Sequence, residues 1–310
     1  MPDPLFHPLH EWLPSEFPHL TSLLVSRQGV LLHEQYLQGD AGTAREVQSV
    51  TKSILALLYG VALDRGVLSG LQVPVLDFFP EHQSLVKDSR WERVTLQHLF
   101  TMTGGLPSEL TDEVYDEAWF THQDPVRFAL EQKLLEEPGE RFHYSNAGFH
   151  LLGEVLSRAV GMPLQDFAGQ VLFVPLGISF SRWEEDAGGR AFGSGGLHLT
   201  APALHRVGQL VLQNGQWEGQ QIVPADWLAQ ITQPVVPGYE WMEGLPWYGM
   251  GWWLTTELGQ RAWYATGFGG QYLALFPDLE VVVSITGDVS PHPSHRQVIT
   301  EQLLPPLLPG

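Results

Sequence analysis

The sequence predicts an α+β protein in which an antiparallel β-sheet is flanked by helices and built from both ends of the chain. Two observations support this prediction. β-Rich runs of alternating polarity occur near the N-terminus and again after residue 248, whereas the long middle has apolar residues at helical spacing between Pro/Gly signals. Strands at both ends with helices between them indicate a sheet domain interrupted by an inserted, mostly helical domain.

The individual elements follow in chain order. SLLVSRQGVLLHEQYL, residues 22–37, is typical of a β-hairpin that turns at Arg27-Gln28-Gly29. AGFHLLGEVLSRAVG and PALHRVGQLVLQNG have apolar residues at helical spacing, and Gly161 ends the first of them as a suitable C-cap. GMGWWLTT, RAWYAT, QYLALF and EVVVSIT predict four strands, and HPSHRQVITEQLL predicts a terminal helix.

The change of pattern along the chain places the domain boundaries. Residues 1–45 and 186–310 are predicted to form the discontinuous sheet domain, and residues 46–185 the inserted helical domain. A cleft between two such units is a common position for a binding site, so we expect the active site there.

Composition and charge narrow the classes of partner. The formal net charge of −19 argues against nucleic acid and anionic membranes, because phosphate binding needs clustered Lys and Arg. Cysteine is absent, which excludes disulfides, thiol nucleophiles and Cys-ligated metals. The first residues lack the pattern of a signal peptide, and the apolar run ILALLYGVAL is too short to span a bilayer. We therefore expect a cytoplasmic protein without membrane insertion.

One stretch, EVQSVTKSILALLYG (residues 46–60), places Ser49 and Lys52 three residues apart where a polar segment meets an apolar one. Residues i and i+3 share a helix face, so the hydroxyl and the amine can come within hydrogen-bonding reach. Free N–H groups and positive potential at the first helical turn suit a hydroxyl that becomes a nucleophile. Lysine acts as a base only when it is neutral, and burial beside apolar groups favours that form.

A purely structural interpretation of this pair is also open. Serine is a preferred N-cap residue, and a lysine one turn later can be a solvated side chain. Ser84 and Lys87 repeat the spacing within HQSLVKDSRWERV, whose polar surroundings indicate a surface loop. Ser49 opens instead onto SILALLYGVAL, a segment that must be buried almost all round, and this difference favours the catalytic interpretation.

SVTKS followed by an apolar helix resembles the first motif of the serine β-lactamase and penicillin-binding-protein superfamily. VTLQHLFTMTGGL, PGERFHYSNAGFHLLGEVL, VLFVPLGI, GSGGLHLTAPAL and YGMGWWL also resemble, in similar order, segments of its class C β-lactamase-like branch. That branch includes family VIII carboxylesterases, D-amino-acid peptidases and aminohexanoate-oligomer hydrolases. The likeness runs from about Gln48 to Thr286 and implies a β-lactamase/transpeptidase-like fold with acyl-enzyme chemistry.

Tyr144-Ser145-Asn146 is the only Tyr-x-Asn in the sequence and matches the second motif of that superfamily. The resemblance implies that Tyr144 deprotonates Ser49 or protonates the leaving group. It also implies that Asn146 orients the acyl-side carbonyl or amide of the substrate and hydrogen-bonds Lys52. Without the upstream pair, the triplet fits better a half-buried tyrosine at a helix start with Asn146 as the cap.

Ala265-Thr266-Gly267 stands where the superfamily commonly has Lys-Thr-Gly or His-Thr-Gly, and we expect it on a strand that faces the nucleophile. Thr266 and Gly267 are the predicted substrate contacts, since glycine lets a backbone approach a ligand closely. The resemblance implies an oxyanion hole formed by the backbone N–H groups of Ser49 and Phe268. The alternative is a glycine-rich turn that joins two strands.

Ala265 departs from the pattern, because β-lactamases and transpeptidases place there a cation that holds the substrate carboxylate. An anionic β-lactam or cell-wall peptide loses its usual partner, whereas a neutral ester or amide loses less. We therefore expect a carboxylesterase-like serine hydrolase for a small-molecule ester or amide, without metal or organic cofactor. A β-lactamase or a D-amino-acid or aminohexanoate-type amide hydrolase is the first alternative. A non-catalytic binding protein of the same fold is the second.

Four other segments complete the prediction. GSGGL, residues 193–197, lacks a following Lys-Ser/Thr and is not a phosphate loop. The aromatic-rich GYEWMEGLPWYGMGWW fits the core better than the wall of a substrate pocket. The loops around Asp112–His122 and Pro237–Trp247 are expected to govern the choice of substrate.

Overall fold

The computed structural model describes residues 4–6, 8–108, 111–112, 114–179, 182–239, 245–290 and 295–308. The α-helices are α1 Leu9–Glu16, α2 Val50–Asp64, α3 Leu96–Phe100, α4 Tyr115–Phe120, α5 Pro125–Leu130, α6 Asn146–Val160, α7 Leu164–Ala168, α8 Ala201–Leu212 and α9 Ala225–Ile231. The strands are β1 Leu20–Arg27, β2 Val30–Tyr36, β3 Ala44–Glu46, β4 Arg182–Trp183, β5 Leu197–Thr200, β6 Gln216–Trp217, β7 Gln220–Gln221, β8 Val236–Pro237, β9 Trp247–Tyr248, β10 Trp253–Glu257, β11 Gln260–Gly267, β12 Gln271–Phe276 and β13 Val281–Gly287.

The main sheet is assembled from both ends of the chain. Within the described residues, eight strands form it in the order β2-β1-β13-β12-β11-β10-β9-β8, with antiparallel neighbours. β1 pairs with β13 along its length, with Leu23 opposite Ile285 and Val25 opposite Val283. Helix α8 packs on β13, β12 and β1. The predicted α+β class, with a sheet drawn from both termini and helices between them, is confirmed.

Most strand predictions hold, with differences at their ends. The first hairpin turns at Gln28 and Gly29, whose φ angles of 52° and 75° suit a two-residue hairpin turn. GMGWWLTT is wrong at its start, because β10 begins only at Trp253. The chain before it turns at Gly251, where φ is 82° and a Cβ would lie 2.9 Å from the Lys52 carbonyl oxygen. The terminal helix is a π-helical segment over Val298–Leu303, and residues 292–294 of that prediction lie outside the described residues.

Helix α2 is the buried centre of the helical part. Every residue from Val50 to Ala62 is buried, as the sequence predicts. Side-chain hydrogen bonds tie the helix to its neighbours, with Tyr59 donating to the Leu152 carbonyl and Trp227 Nε1 donating to the Ala56 carbonyl, both at 2.8 Å. The residue at the N-terminal end of α2 is therefore held by a rigid, fully packed element. No helix in the described part of the chain is long and apolar enough to cross a membrane.

Helix α6 begins and ends with ordinary capping groups. The Ser145 hydroxyl accepts the Gly148 N–H at 3.1 Å, so Ser145 is the N-cap. The interpretation of Asn146 as the cap is therefore wrong, and its side chain is available for other contacts. Gly161 has φ 69° at the other end, which confirms the predicted left-handed C-cap.

A smaller sheet lies where the predicted domains meet. β3, β5 and β4 pair in that order, so Arg45 lies opposite Leu199 and Trp183 opposite Leu197. β3 itself spans the boundary predicted at residues 45 and 46, and β4 and β5 lie on opposite sides of that predicted at residues 185 and 186. The division into 1–45 with 186–310 and 46–185 stays a prediction, and one hydrogen-bonded sheet crosses it.

Candidate active site

Ser49 occupies the N-terminal end of α2 without acting as its cap. It has φ −66° and its side chain makes no capping hydrogen bond, so the structural interpretation of this serine as an N-cap is wrong. The preceding residue, Gln48, has φ 50°, a left-handed conformation that is uncommon outside glycine and often found at functional sites. Ser49 borders a cavity, and its side chain is not engaged in capping the helix backbone.

Lys52 lies beneath Ser49 and is almost completely buried, with 2% of its surface exposed. Its Nζ donates to three oxygens, each at 2.8 Å: Ser49 Oγ, Asn146 Oδ1 and the Ser194 carbonyl. These match the three donors of an ammonium group, which explains how the interior accommodates this side chain. Ser84 and Lys87, by contrast, are both exposed, as the sequence predicts for that copy of the spacing.

Asn146 links Lys52 to a residue that the sequence analysis missed. While Oδ1 accepts from Lys52, Nδ2 donates to Asp116 Oδ2 at 2.7 Å. Asn146 is the first residue of α6 and Asp116 lies in the first turn of α4, so two helices contribute to one hydrogen-bonded chain. Nothing in the local sequence around Asp116 marks it, because the contact spans 30 residues.

Tyr144 lies against the same group of side chains. Its ring centroid is 5.0 Å from Lys52 Nζ, and its plane is within 7° of the Trp253 ring at a centroid distance of 6.3 Å. Its backbone N–H donates to the Tyr239 hydroxyl at 2.8 Å. The tyrosine is thus held from both its ring and its backbone while it borders the cavity that contains Ser49.

The third motif lies at the end of β11, next to the segment that contains Ser49. A Cβ on Gly267 would lie 2.6 Å from the Val47 carbonyl oxygen, so the strand end and the chain before Ser49 are in close contact. Thr266, Gly267 and Phe268 all border the cavity. Residues 265–267 are on the strand, as expected, and residues 268–270 form the turn to β12, while the role of this segment in substrate binding stays a prediction.

One cavity of about 630 Å³ contains these groups and lies between the N-terminal ends of α2 and α6 and the end of β11. Its lining comprises Glu46, Gln48, Ser49, Trp119, Phe120, Tyr144, Asn146, Glu184, Phe192, Ser194, Gly195, Gly196, Tyr239, Trp253, Thr266, Gly267 and Phe268. In the described part of the chain, the charged residues of this lining are Glu46 and Glu184, both of which carry carboxylates. The predicted site residues are therefore brought together at this cavity. Lys52 does not belong to the lining and contacts it through Ser49 and Asn146.

The two acidic residues of the cavity, Glu46 and Glu184, lie close together at its edge. Burial raises the pKa of the Glu46 carboxyl, and the negative charge of Glu184 raises it further. The hydrogen bond that Glu46 accepts from the Gly196 N–H at 3.0 Å acts in the opposite direction and lowers this pKa. Glu184 lies 3.2 Å from both Arg182 and His198. Glu46, Glu184 and His198 place possible metal-ligand atoms within 4.8 Å of one another, but the protein already supplies partners to both carboxylates. The expectation of metal-free chemistry stays a prediction.

Two segments contribute more to the site than the sequence suggested. GSGGL supplies the carbonyl that Lys52 contacts, and a Cβ on Gly193 would lie 2.2 Å from the Phe149 carbonyl oxygen. The glycines of GSGGL are the feature of the sequence that could have indicated this, because glycine lets two backbone segments approach each other closely. The aromatic-rich segment GYEWMEGLPWYGMGWW contributes both to the core and to the cavity wall. Trp252 is buried, while Tyr239 and Trp253 border the cavity.

The loops predicted to govern substrate choice are only partly described. Trp119 and Phe120 of the first loop border the cavity, as does Tyr239 of the second. Residue 113 and residues 240–244 of these loops lie outside the described residues.

Comparison with known proteins gives consistent matches. The family model named Beta-lactamase matches residues 21–303. Esterase EstB of Burkholderia gladioli is 32% identical over 177 residues, which cover 50% of this chain and 44% of EstB. The 6-aminohexanoate-dimer hydrolase of Paenarthrobacter ureafaciens is 24% identical over 294 residues, which cover 88% of this chain and 74% of that enzyme.

A solved structure extends the likeness over the whole fold. EstCE1, described as a hydrolase with promiscuous acyltransferase activity, matches with a TM-score of 0.76 and 16% identity, covering 94% of each chain. At this identity the likeness concerns the fold alone. The match to EstB spans less than half of that protein's length.

Proposed function

The chain belongs to the Beta-lactamase family, and from this premise we propose that it cleaves a carboxylic ester or amide through an acyl group carried on Ser49. The observation that carries the proposal is the 2.8 Å hydrogen bond between Ser49 Oγ and the buried Lys52 Nζ, at the wall of a substrate-sized cavity. In its neutral form the Lys52 amine can take the Ser49 proton, and a nucleophile within hydrogen-bonding reach of such a base is the arrangement that covalent catalysis needs.

The proposed reaction has two steps. In the first, Ser49 Oγ bonds to the acyl carbon, its proton passes to the Lys52–Tyr144 pair, and the leaving group departs with that proton. In the second, water attacks the acyl-enzyme, the bond to Ser49 breaks, and the acid leaves as the serine regains a proton. We assign delivery of the proton to Tyr144, and the support for this is that Tyr144 borders the cavity and that its ring centroid is 5.0 Å from Lys52 Nζ.

Stabilisation of the oxyanion is assigned to two backbone N–H groups, those of Ser49 and Phe268. Ser49 precedes a helix of 15 residues, whose N-terminal end carries positive potential. Phe268 follows Gly267, and the close contact between Gly267 and Val47 supports a short distance between the two donors. One such donor contributes about 3 kcal/mol to transition-state stabilisation in comparable sites.

The charge of the cavity supports a neutral ester as the preferred substrate. Ala265 is buried opposite Leu273, outside the cavity lining, so it offers no charge to a substrate carboxylate. Glu46 and Glu184 make the rim acidic, which disfavours an anionic β-lactam. The aromatic side chains of the lining suit an apolar acyl or leaving group.

An amide hydrolase is the second candidate. The observation that favours it is the match to the 6-aminohexanoate-dimer hydrolase, which spans 88% of this chain and 74% of that enzyme. The same nucleophile and proton path would serve both reactions, since only the leaving atom changes from oxygen to nitrogen.

The test compares wild type, Ser49→Ala and Ser84→Ala on short-chain p-nitrophenyl esters, an aminohexanoyl amide and nitrocefin, with intact mass to detect the acyl-enzyme. Ser84→Ala is the matched control, because it removes the exposed serine of the repeated spacing. We expect ester turnover and a mass increment that disappear only in Ser49→Ala. Turnover of the amide alone would select the second candidate. Absence of acylation in folded wild type with every substrate would contradict the proposal and favour a binding protein.

A further inference from the structure

We propose that Asp116 is a positioning residue that sets the orientation of the Asn146 amide and, through it, holds Lys52 against Ser49. This inference rests on the proposed function of Ser49. It starts from three contacts in series: Asp116 Oδ2 to Asn146 Nδ2 at 2.7 Å, Asn146 Oδ1 to Lys52 Nζ at 2.8 Å, and Lys52 Nζ to Ser49 Oγ at 2.8 Å.

The chemistry of the two partners leaves one orientation for the amide. An ionised carboxylate only accepts hydrogen bonds, so Asp116 must face the Nδ2 group. A lysine ammonium only donates, so Lys52 must face Oδ1. The reversed amide would set two donors against each other at Lys52 and two acceptors against each other at Asp116. Asp116 and Lys52 therefore specify the same orientation of Asn146 from opposite sides.

The helix that carries Asp116 is well anchored. Tyr115 and Trp119 of α4 are buried, with 4% and 2% exposure. The Trp119 ring contacts His150 and Phe192 at centroid distances of 5.6 and 5.8 Å. His150 belongs to α6, the helix that begins at Asn146. The packing of Trp119 on His150 therefore holds α4 and α6 next to each other, and with them the two partners of the Asp116–Asn146 hydrogen bond.

Asp116 acts at a distance from the reacting atoms. Asn146 borders the cavity, but Asp116 does not belong to its lining, so the carboxylate reaches the reaction through the amide. Hydrogen bonds to charged groups are stronger than those between neutral groups, and such a chain restricts the amide more than packing alone. Without the carboxylate, Asn146 is free to rotate away from Lys52, and the amine loses one of its three oxygen partners.

The test is a double-mutant cycle of Asp116→Leu and Asn146→Ala, measured on ester turnover and on thermal stability. Asp116→Leu is similar in size but cannot accept a hydrogen bond, and we expect it to lower kcat by about tenfold to a hundredfold with KM changed by less than about threefold. Asp116→Asn retains an acceptor oxygen and should restore most of the lost kcat. Glu117→Gln is the matched control, because Glu117 is exposed on the same helix; it should behave as wild type.

The cycle separates positioning from a general structural effect. If Asp116 acts through Asn146, adding Asp116→Leu to Asn146→Ala should cause little further loss of kcat and little further change in Tm. Additive losses in both measurements would overturn the proposal. Inactive wild type would instead contradict the proposed function, and the Tm cycle would still decide whether Asp116 and Asn146 are coupled.

Discussion

Gly267 at the end of β11 lies directly against Val47 in the segment that leads to Ser49, since a Cβ on Gly267 would come within 2.6 Å of the Val47 carbonyl oxygen. The same atom would lie 2.9 Å from Gln48 Cβ. Distances this short exclude any side chain at position 267 unless the backbone moves. The contact therefore joins the third motif to the first and sets the separation of the proposed oxyanion donors at Ser49 and Phe268.

Replacing Gly267 tests this contact. We expect Gly267→Ala to push the strand end away from Val47 and to lower kcat by about a hundredfold, the loss expected when one oxyanion donor is misplaced. Gly169→Ala is the matched control, since a Cβ at Gly169 would have no atom within 4 Å and the residue has ordinary helical angles. Steady-state kinetics on a p-nitrophenyl ester checks both variants. Full activity of Gly267→Ala would mean that Phe268 does not contribute its N–H.

Removal of the buried Lys52 amine should slow acylation strongly. Lys52→Met keeps the length of the side chain but leaves the Asn146 and Ser194 oxygens without their donor. We expect acylation to slow by about a thousandfold or more, within the range of general acid–base contributions, and the folded state to lose about 1–3 kcal/mol per unsatisfied group. Burst kinetics and urea unfolding measure the two effects. Lys87→Met, at the exposed copy of the spacing, should change neither.

The acidic rim should discriminate against anionic substrates. Glu46→Gln removes one negative charge. The amide oxygen of the new glutamine can still accept the hydrogen bond from the Gly196 N–H, which Glu46 accepts at 3.0 Å in the wild type. We expect kcat/KM for a mono-p-nitrophenyl ester of a dicarboxylic acid to rise about threefold to tenfold relative to p-nitrophenyl butyrate, since tenfold corresponds to about 1.4 kcal/mol of relieved repulsion. Glu92→Gln, an exposed position outside the cavity lining, is the control. An unchanged ratio would remove Glu46 from the determinants of specificity.

His205 should make the stability of the sheet sensitive to acid. It lies in α8, with Nδ1 at 2.9 Å from Ser284 Oγ and Nε2 at 2.8 Å from Ser26 Oγ, and burial lowers its pKa from 6.5 to about 4. The unfolded chain therefore holds more protons between these values, so the free energy of unfolding falls as the pH drops from about 6.5 towards 4. The full change for this one group is about 3 kcal/mol.

Urea unfolding across that pH range measures the effect. We expect His205→Gln to be less stable than wild type at neutral pH but to lose less stability on acidification. His33, whose pKa burial also lowers to about 4, will keep part of the dependence in the variant. Equal slopes for wild type and His205→Gln would exclude His205 as the origin of the dependence.

Most of the secondary-structure elements, and the first pair of residues in the proposed site, could be predicted from the sequence. The hairpin, α2, α6 and β11–β13 follow from apolar periodicity and from turn and cap residues such as Gly29 and Gly161, which depend on neighbours in the chain. The spacing of Ser49 and Lys52 belongs to the same class, because one helical turn brings the two side chains together wherever the helix lies. The apolar segment that follows Ser49 and Lys52 then distinguishes this pair from Ser84 and Lys87, whose surroundings are polar.

The surroundings of Ser49 and Lys52 depend on contacts between distant parts of the chain and could not be predicted from the sequence. Asn146 and Ser194 meet Lys52 across 94 and 142 residues of chain, and Asp116 reaches Asn146 from another helix. The contact between Gly267 and Val47, and the two carboxylates at the cavity edge, are likewise products of how the sheet and the helices pack. Local patterns carry no record of such contacts, because periodicity and turn chemistry specify the direction of each side chain only within its own element.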